Sequence, residues 1–226
     1  METLNRKNAA FLAYIFIDMA VLFAVNFYYL DVSGILLYAI LIVLSSSLIF
    51  FTKNIVAGFF NVRMTGKFWV SGLIFSAIAT LAASSFGLPI PIPVINYNKY
   101  GRITTLKGIK KGEIKMHEKW EITFLSSSLI LFAAFVFISM WHFLGQEAFL
   151  MTGIALAMFV LVDFLPEKKF NGANLIYHNS IMYLITFLFL LVIGILSIAD
   201  YSASFAVFRR TGEDINRRSS YHSFIM

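Results

Sequence analysis

The chain reads as long uncharged runs separated by short polar ones. Asp, Glu, Lys and Arg are absent from residues 32–52, 68–98, 122–146 and 170–199, and residues 8–30 hold only Asp18. A shorter run, 148–162, ends at Asp163. A helix that crosses a bilayer takes about 20 apolar residues, because the hydrocarbon core is about 30 Å thick. In lipid the backbone must satisfy its own hydrogen bonds, so each run is predicted to be a helix. The six segments lie near 9–30, 33–52, 68–88, 121–143, 148–165 and 180–200. None alternates polar and apolar positions as an outer-membrane barrel strand does. The predicted class is an all-α polytopic membrane protein, a multi-pass protein of the cell membrane with five or six transmembrane helices. Residues 1–200 form one transmembrane domain and 201–226 a polar, basic tail. Trp120 and Trp141 bracket the fourth segment, where indoles prefer the interface, and Trp69 marks another boundary. Arg6 and Lys7 precede a run too long for a signal-peptide core, so the first helix is expected to stay as an anchor.

The largest polar insert is 89–121. Pro89, Pro91 and Pro93 at alternate positions predict an extended segment, since proline has no N–H for a helix. Val94–Tyr97, the turn-like Asn98-Lys99-Tyr100-Gly101 and Arg102–Leu106 then predict a small β-hairpin. Lys107, Lys110, Lys111, Lys115 and Lys119 follow. If all six runs cross, the basic residues divide evenly between the two faces, which orients nothing. If segment 68–88, rich in Gly, Ala and Ser, instead dips in and returns, fourteen of the 18 Lys and Arg share one face. The charge rule favours that five-crossing, re-entrant reading, at the expense of exporting a tail with four arginines.

Composition narrows the class. Hydrophobic residues make up 59% and charged residues 13% of the 226, against about 45–50% and about 25% in soluble domains. Too few polar residues remain to cover a soluble surface. This excludes a disordered chain, a nucleic-acid-binding domain and an ordinary soluble enzyme. With no cysteine there is no disulfide, zinc thiolate or thiol nucleophile. The net charge of +6 is read as attraction to anionic lipid headgroups, not to nucleic acid.

Candidate chemistry is sparse. Asp18 is the one acidic residue well inside a long run. An ionisable group in hydrocarbon is a functional candidate by default. Three roles stay open for it: carrying protons, pairing with a Lys or Arg on another helix, or sitting neutral in a packed interface or near a shifted span boundary. Asp163, at a span end, is expected to be wet. His117-Glu118-Lys119-Trp120-Glu121 spells HExxE, but Glu at a helix start is also what the helix dipole favours. His117, His142, His178 and His222 form no pair at helical spacing, so no metal, haem or other cofactor is expected. Leu44–Phe50 (LSSSLIF) resembles Leu125–Leu131 (LSSSLIL). Small hydroxyl residues let helices approach closely, so the pair marks either an internal repeat or two contact patches on facing helices. In the tail, Thr211-Gly212-Glu213-Asp214 is a weak capping pattern beside Arg209, Arg210, Arg217 and Arg218.

Residues 156–179 include Asp163-Phe164-Leu165-Pro166 and Phe170-Asn171-Gly172. This stretch resembles the third core helix of site-2 protease-like intramembrane zinc metalloproteases of the archaeal type, whose pattern is roughly ALFNLLPxxPLDGSK. The first four residues lie over NLLP, and Phe170-Asn171-Gly172 over LDG. Ile122–Ser127 resembles the family's small-residue stretch. Val56-Ala57 and the helix before them resemble the helix that carries HExxH. The resemblance covers roughly residues 35–200. It implies two zinc-binding His at i and i+4, a general-base Glu and an Asp ligand. Those positions hold Ile49, Lys53, Phe50 and Asn171. Ile and Phe have no ligating atom, a protonated Lys repels a cation, and Asn offers a neutral amide. No HExxH occurs elsewhere. The implied protein is a degenerate, proteolytically silent member with no catalytic residues and no metal.

Three functions follow as expectations. The first is a silent protease-like membrane protein that binds or scaffolds membrane segments or transmembrane peptides, or serves as a subunit of a membrane complex. The second is a transporter or channel subunit using Asp18 and the serine-rich helices. The third is an accessory helix bundle in a larger assembly.

Overall fold

The computed structural model describes residues 2–26, 32–66, 69–85, 90–94, 98–102, 114–165, 176, 179–189 and 191–192. These residues are overwhelmingly helical. The elements run α1 (Glu2–Asn26), α2 (Val32–Phe59), β1 (Val62–Gly66), α3 (Val70–Ser85), β2 (Asn98–Arg102), α4 (Met116–Leu144) and α5 (Glu147–Asp163), then α6 (Ser180–Phe189). Among the described residues two stretches, Ile35–Phe59 and His117–Leu144, are long and apolar enough to cross a membrane.

The centre of the molecule is α5. Every residue from Ala148 to Val160 is buried, as expected of a helix that is apolar all round. α4 and α2 pack on it. Tyr183 of α6 donates its hydroxyl to Phe164 O at 2.9 Å, capping the helix end. α4 and α5 form a tight antiparallel hairpin. Gly145 turns the chain at φ 69, a left-handed conformation in which a side chain is strained, and its N–H bonds Trp141 O at 2.8 Å. Gly153 then lets the helices touch: a Cβ there would sit 2.9 Å from Ala134 O.

Helices α2 and α4 differ from α5. Only 33% and 39% of their most apolar windows are buried. Leu36, Ile40 and Phe51 of α2, and Phe132, Phe135 and Phe143 of α4, project outward.

Between α3 and the described part of the polar insert the chain doubles back. Ile90–Val94 runs extended along α3 and α5, with Ile90 beside Leu150, Ile154 and Met158, and Val94 beside Val162. Its backbone groups are met by side chains. Ser76 Oγ donates to Ile92 O at 2.9 Å, and Ile92 N–H donates to Thr80 Oγ1 at 3.0 Å. Pro91 and Pro93 have no N–H to satisfy. The Tyr14 hydroxyl bridges Trp69 O and Val94 O, 3.2 Å from each. The start of α3 and the end of the return segment therefore lie at the same level. Beyond them β1 and β2 pair antiparallel, Val62 opposite Arg102 and Gly66 opposite Asn98. Val62 and Met64 pack on Val56, Ala57 and Ile122, at the foot of α2 and α4.

Two expectations need correction. Helix α2 does not stop near 52 but runs to Phe59, because the charge of Lys53 that ends the apolar run is neutralised inside the fold. Residues 98–102 are a strand, not the tip of a local hairpin. Their partner is 62–66, brought to them by the doubling back of the chain. Pro89, residues 95–97 and 103–113, Asn171, His178, residues 193–200 and the tail 201–226 lie outside the described residues.

Candidate functional site

One turn of α2 separates Ile49 from Lys53, so the two side chains share a face. Both are buried, at 0% and 1% exposure. Lys53 Nζ lies 3.0 Å from Asp163 Oδ2. It also sits 4.7 Å from the centre of the Phe159 ring. Phe159 and Asp163 are i and i+4 on α5, so that helix presents a ring and a carboxylate to one ammonium. Asp163 stands at the C-terminal end of α5, where the helix dipole disfavours a negative charge. The ammonium opposes both the carboxylate and the partial charge of the helix end.

This overturns the expectation that Asp163 is wet, since it is 1% exposed and ion-paired. HExxE opens α4. Glu118 reaches back to accept the Lys115 backbone N–H at 2.9 Å and caps α4. His117 and Glu121 are exposed. His142, at the far end of α4, packs against Trp141 with 4.5 Å between ring centres. Among the described residues no three His, Cys, Asp or Glu side chains converge.

Phe50 does not face the pair. Its ring packs toward Phe11 of α1, with centres 6.2 Å apart. Asn171 lies outside the described residues, so its distance from Ile49 and Lys53 is not part of the geometry. Helix α2 packs on α4, and Ser45, Ser46, Ser126 and Ser127 are all buried. Ser46 and Ser126 bond back to Ile42 O and Thr123 O of their own helices.

Asp18 is 0% exposed. It lies well within α1 and faces Tyr38 of α2 and Ser76 of α3. No Lys or Arg partner is seen for it among the described residues.

The pairing of Lys53 with Asp163 is the feature that reading along the chain missed. The signal was present as two lone charges of opposite sign, each closing an apolar run on a different helix. Chemically the pair is a fixed bridge between α2 and α5. Comparison with protein-family models, with curated proteins and with solved structures gives no match.

Proposed function

We propose that the chain is an integral membrane protein with a site-2 protease-like core that binds or scaffolds membrane segments without cutting them, alone or as a subunit of a membrane complex. The observation that carries this reading is the buried pair of Lys53 with Asp163 at 3.0 Å. In the register of the resemblance, Lys53 stands at a metal-ligand position of one core helix and Asp163 opens the ligand-bearing turn of another. A dication held between such elements ties them together. Here an ammonium belonging to the chain supplies the positive charge and the tie. Ile49 and Phe50 bring no ligating atom or general base, so the scaffold keeps its shape and gives up hydrolysis.

The outward-facing Leu, Ile and Phe of α2 and α4 support a lipid setting. Trp69 and Val94, held on one hydroxyl, support the five-crossing arrangement in which α3 and the return segment re-enter. Irregular backbone at membrane depth is tolerated where protein covers it, and Ile90–Val94 is so covered. The face carrying the lysine-rich insert then meets anionic headgroups.

The test is metal analysis and a peptidase assay on purified protein, together with photocrosslinking to an unwound transmembrane peptide. The expected result is crosslinking without cleavage and without stoichiometric zinc. Stoichiometric zinc with cleavage overturns the reading.

A further inference from the structure

Asp18 is fully buried, and neither of its carboxyl oxygens has a hydrogen-bond partner among the described residues. The groups that face it are Tyr14, one turn earlier on α1, Tyr38 on α2 and Ser76 on α3. Helix α3 has no ionisable side chain. The charged residue of α2, Lys53, is about 22 Å of helix rise beyond Tyr38 and is paired with Asp163. The other element packed on α1 is β1, whose charged residue is Arg63.

Two of the facing hydroxyls, those of Ser76 and Tyr14, hold the return segment. Ser76 gives its proton to Ile92 O. Tyr14 shares its one proton between Val94 O and Trp69 O, 3.2 Å from each. A hydroxyl has one proton to give. A carboxylate at position 18 needs donors, because a buried charge without hydrogen bonds is costly. Tyr38 can donate to one of its oxygens, and further donors come from Ser76 and Tyr14 only in competition with the carbonyls of Ile92 and Val94. A carboxylic acid brings its own proton and leaves that arrangement intact.

We propose that Asp18 is a proton-binding site whose occupancy sets the grip of α1 and α3 on the extended segment Ile90–Val94. With the proton bound, Ser76 and Tyr14 stay on the carbonyls of Ile92 and Val94. When the proton leaves to water, the two hydroxyls turn to the carboxylate and the carbonyls lose their donors. Pro91 and Pro93 offer no N–H through which the segment could re-pair locally. The segment then loosens from α5. This inference does not depend on a protease-like core.

The chain has no cysteine, so a single introduced thiol is a clean probe. In liposomes, Ile92→Cys is labelled with a maleimide across a pH series, with and without Asp18→Asn. The ratio of the two rates removes the thiol's own pH dependence. The expected ratio is near one in acid and rises several-fold in alkali, because the amide cannot ionise. Asp18→Glu, which keeps a carboxyl, is expected to retain the rise. In parallel, a hydrophobic carbodiimide is expected to modify Asp18 in acid and progressively less in alkali, read by mass spectrometry. A ratio that stays flat with pH overturns the proposal, as does carbodiimide labelling that ignores pH. Should Asp18→Asn fail to fold, Ser76→Ala serves in its place. Its Ile92→Cys labelling is expected to be fast at all pH, and labelling as slow as in the parent in acid overturns the proposal.

Discussion

Lys53 and Asp163 meet at 3.0 Å, 110 residues apart in the chain, with both side chains shut away from solvent. Desolvating two charges is costly, and the attraction between them offsets the cost only while both are present. Removing one leaves the other buried alone. Lys53→Met and Asp163→Leu are each expected to lower stability by about 3–5 kcal/mol. The double variant is expected to lose much less than the sum. Denaturant titration of the four proteins in detergent gives the coupling energy, and an additive cycle would show that the pair holds nothing together.

What was legible along the chain, and what was not, divides at this pair. Uncharged runs located every described helix, because hydrophobic length is a local property. The end of α2 was misplaced because a lysine stops an uncharged run whether it faces water or a carboxylate from a distant helix. The alternating prolines marked Ile90–Val94 as extended. Its docking could not be read, since Tyr14, Ser76 and Thr80, which satisfy its backbone, lie on two other elements. Strand β2 reads as a turn along the chain because Asn98-Lys99-Tyr100-Gly101 has turn composition, and a strand's partner is set by tertiary placement. Asp18 stood out as an anomaly, but the hydroxyls around it emerge only when three helices are brought together.

The hairpin of α4 and α5 depends on close approach at Gly153. A Cβ there would meet Ala134 O at 2.9 Å and Ile138 N at 3.2 Å, both backbone atoms that cannot turn aside. Gly153→Val is therefore expected to separate the helices and cost about 1–3 kcal/mol. Gly58, where nothing lies within 4 Å of an added Cβ, is the control. Gly58→Ala is expected to be neutral or stabilising, since alanine favours a helix by about 1 kcal/mol over glycine. Equal losses at both positions would rule out the close approach as the cause.

Tyr183 closes the end of α5 through its hydroxyl bond to Phe164 O. Tyr183→Phe keeps the ring, which stacks on Phe187 at 5.7 Å between centres, and removes only the donor. The expected loss is about 1 kcal/mol, with faster amide exchange confined to the last turn of α5. Hydrogen exchange by mass spectrometry reads this directly. Exchange that rises across the whole of α5 would mean that α6 contributes packing and not a cap.

The last prediction restores what the bridge replaces. Ile49 and Lys53 are one turn apart on one buried face, and Asp163 already points at the second of them. Two imidazoles at i and i+4 with a nearby carboxylate make a three-ligand set for zinc, with water as the fourth ligand. The double variant Ile49→His, Lys53→His is therefore expected to acquire about one zinc per chain, measured by plasma mass spectrometry after dialysis. Adding Asp163→Asn should abolish it. Zinc stabilises a fold it binds by an amount that grows with the logarithm of its concentration over Kd, so the variant should melt higher with zinc than with chelator, whereas the parent should melt alike in both. A double variant that folds but takes up no zinc would mean that residues 49 and 53 do not converge with Asp163 on a common point. The ammonium would then be an ordinary buried partner of the carboxylate and not a substitute for a metal.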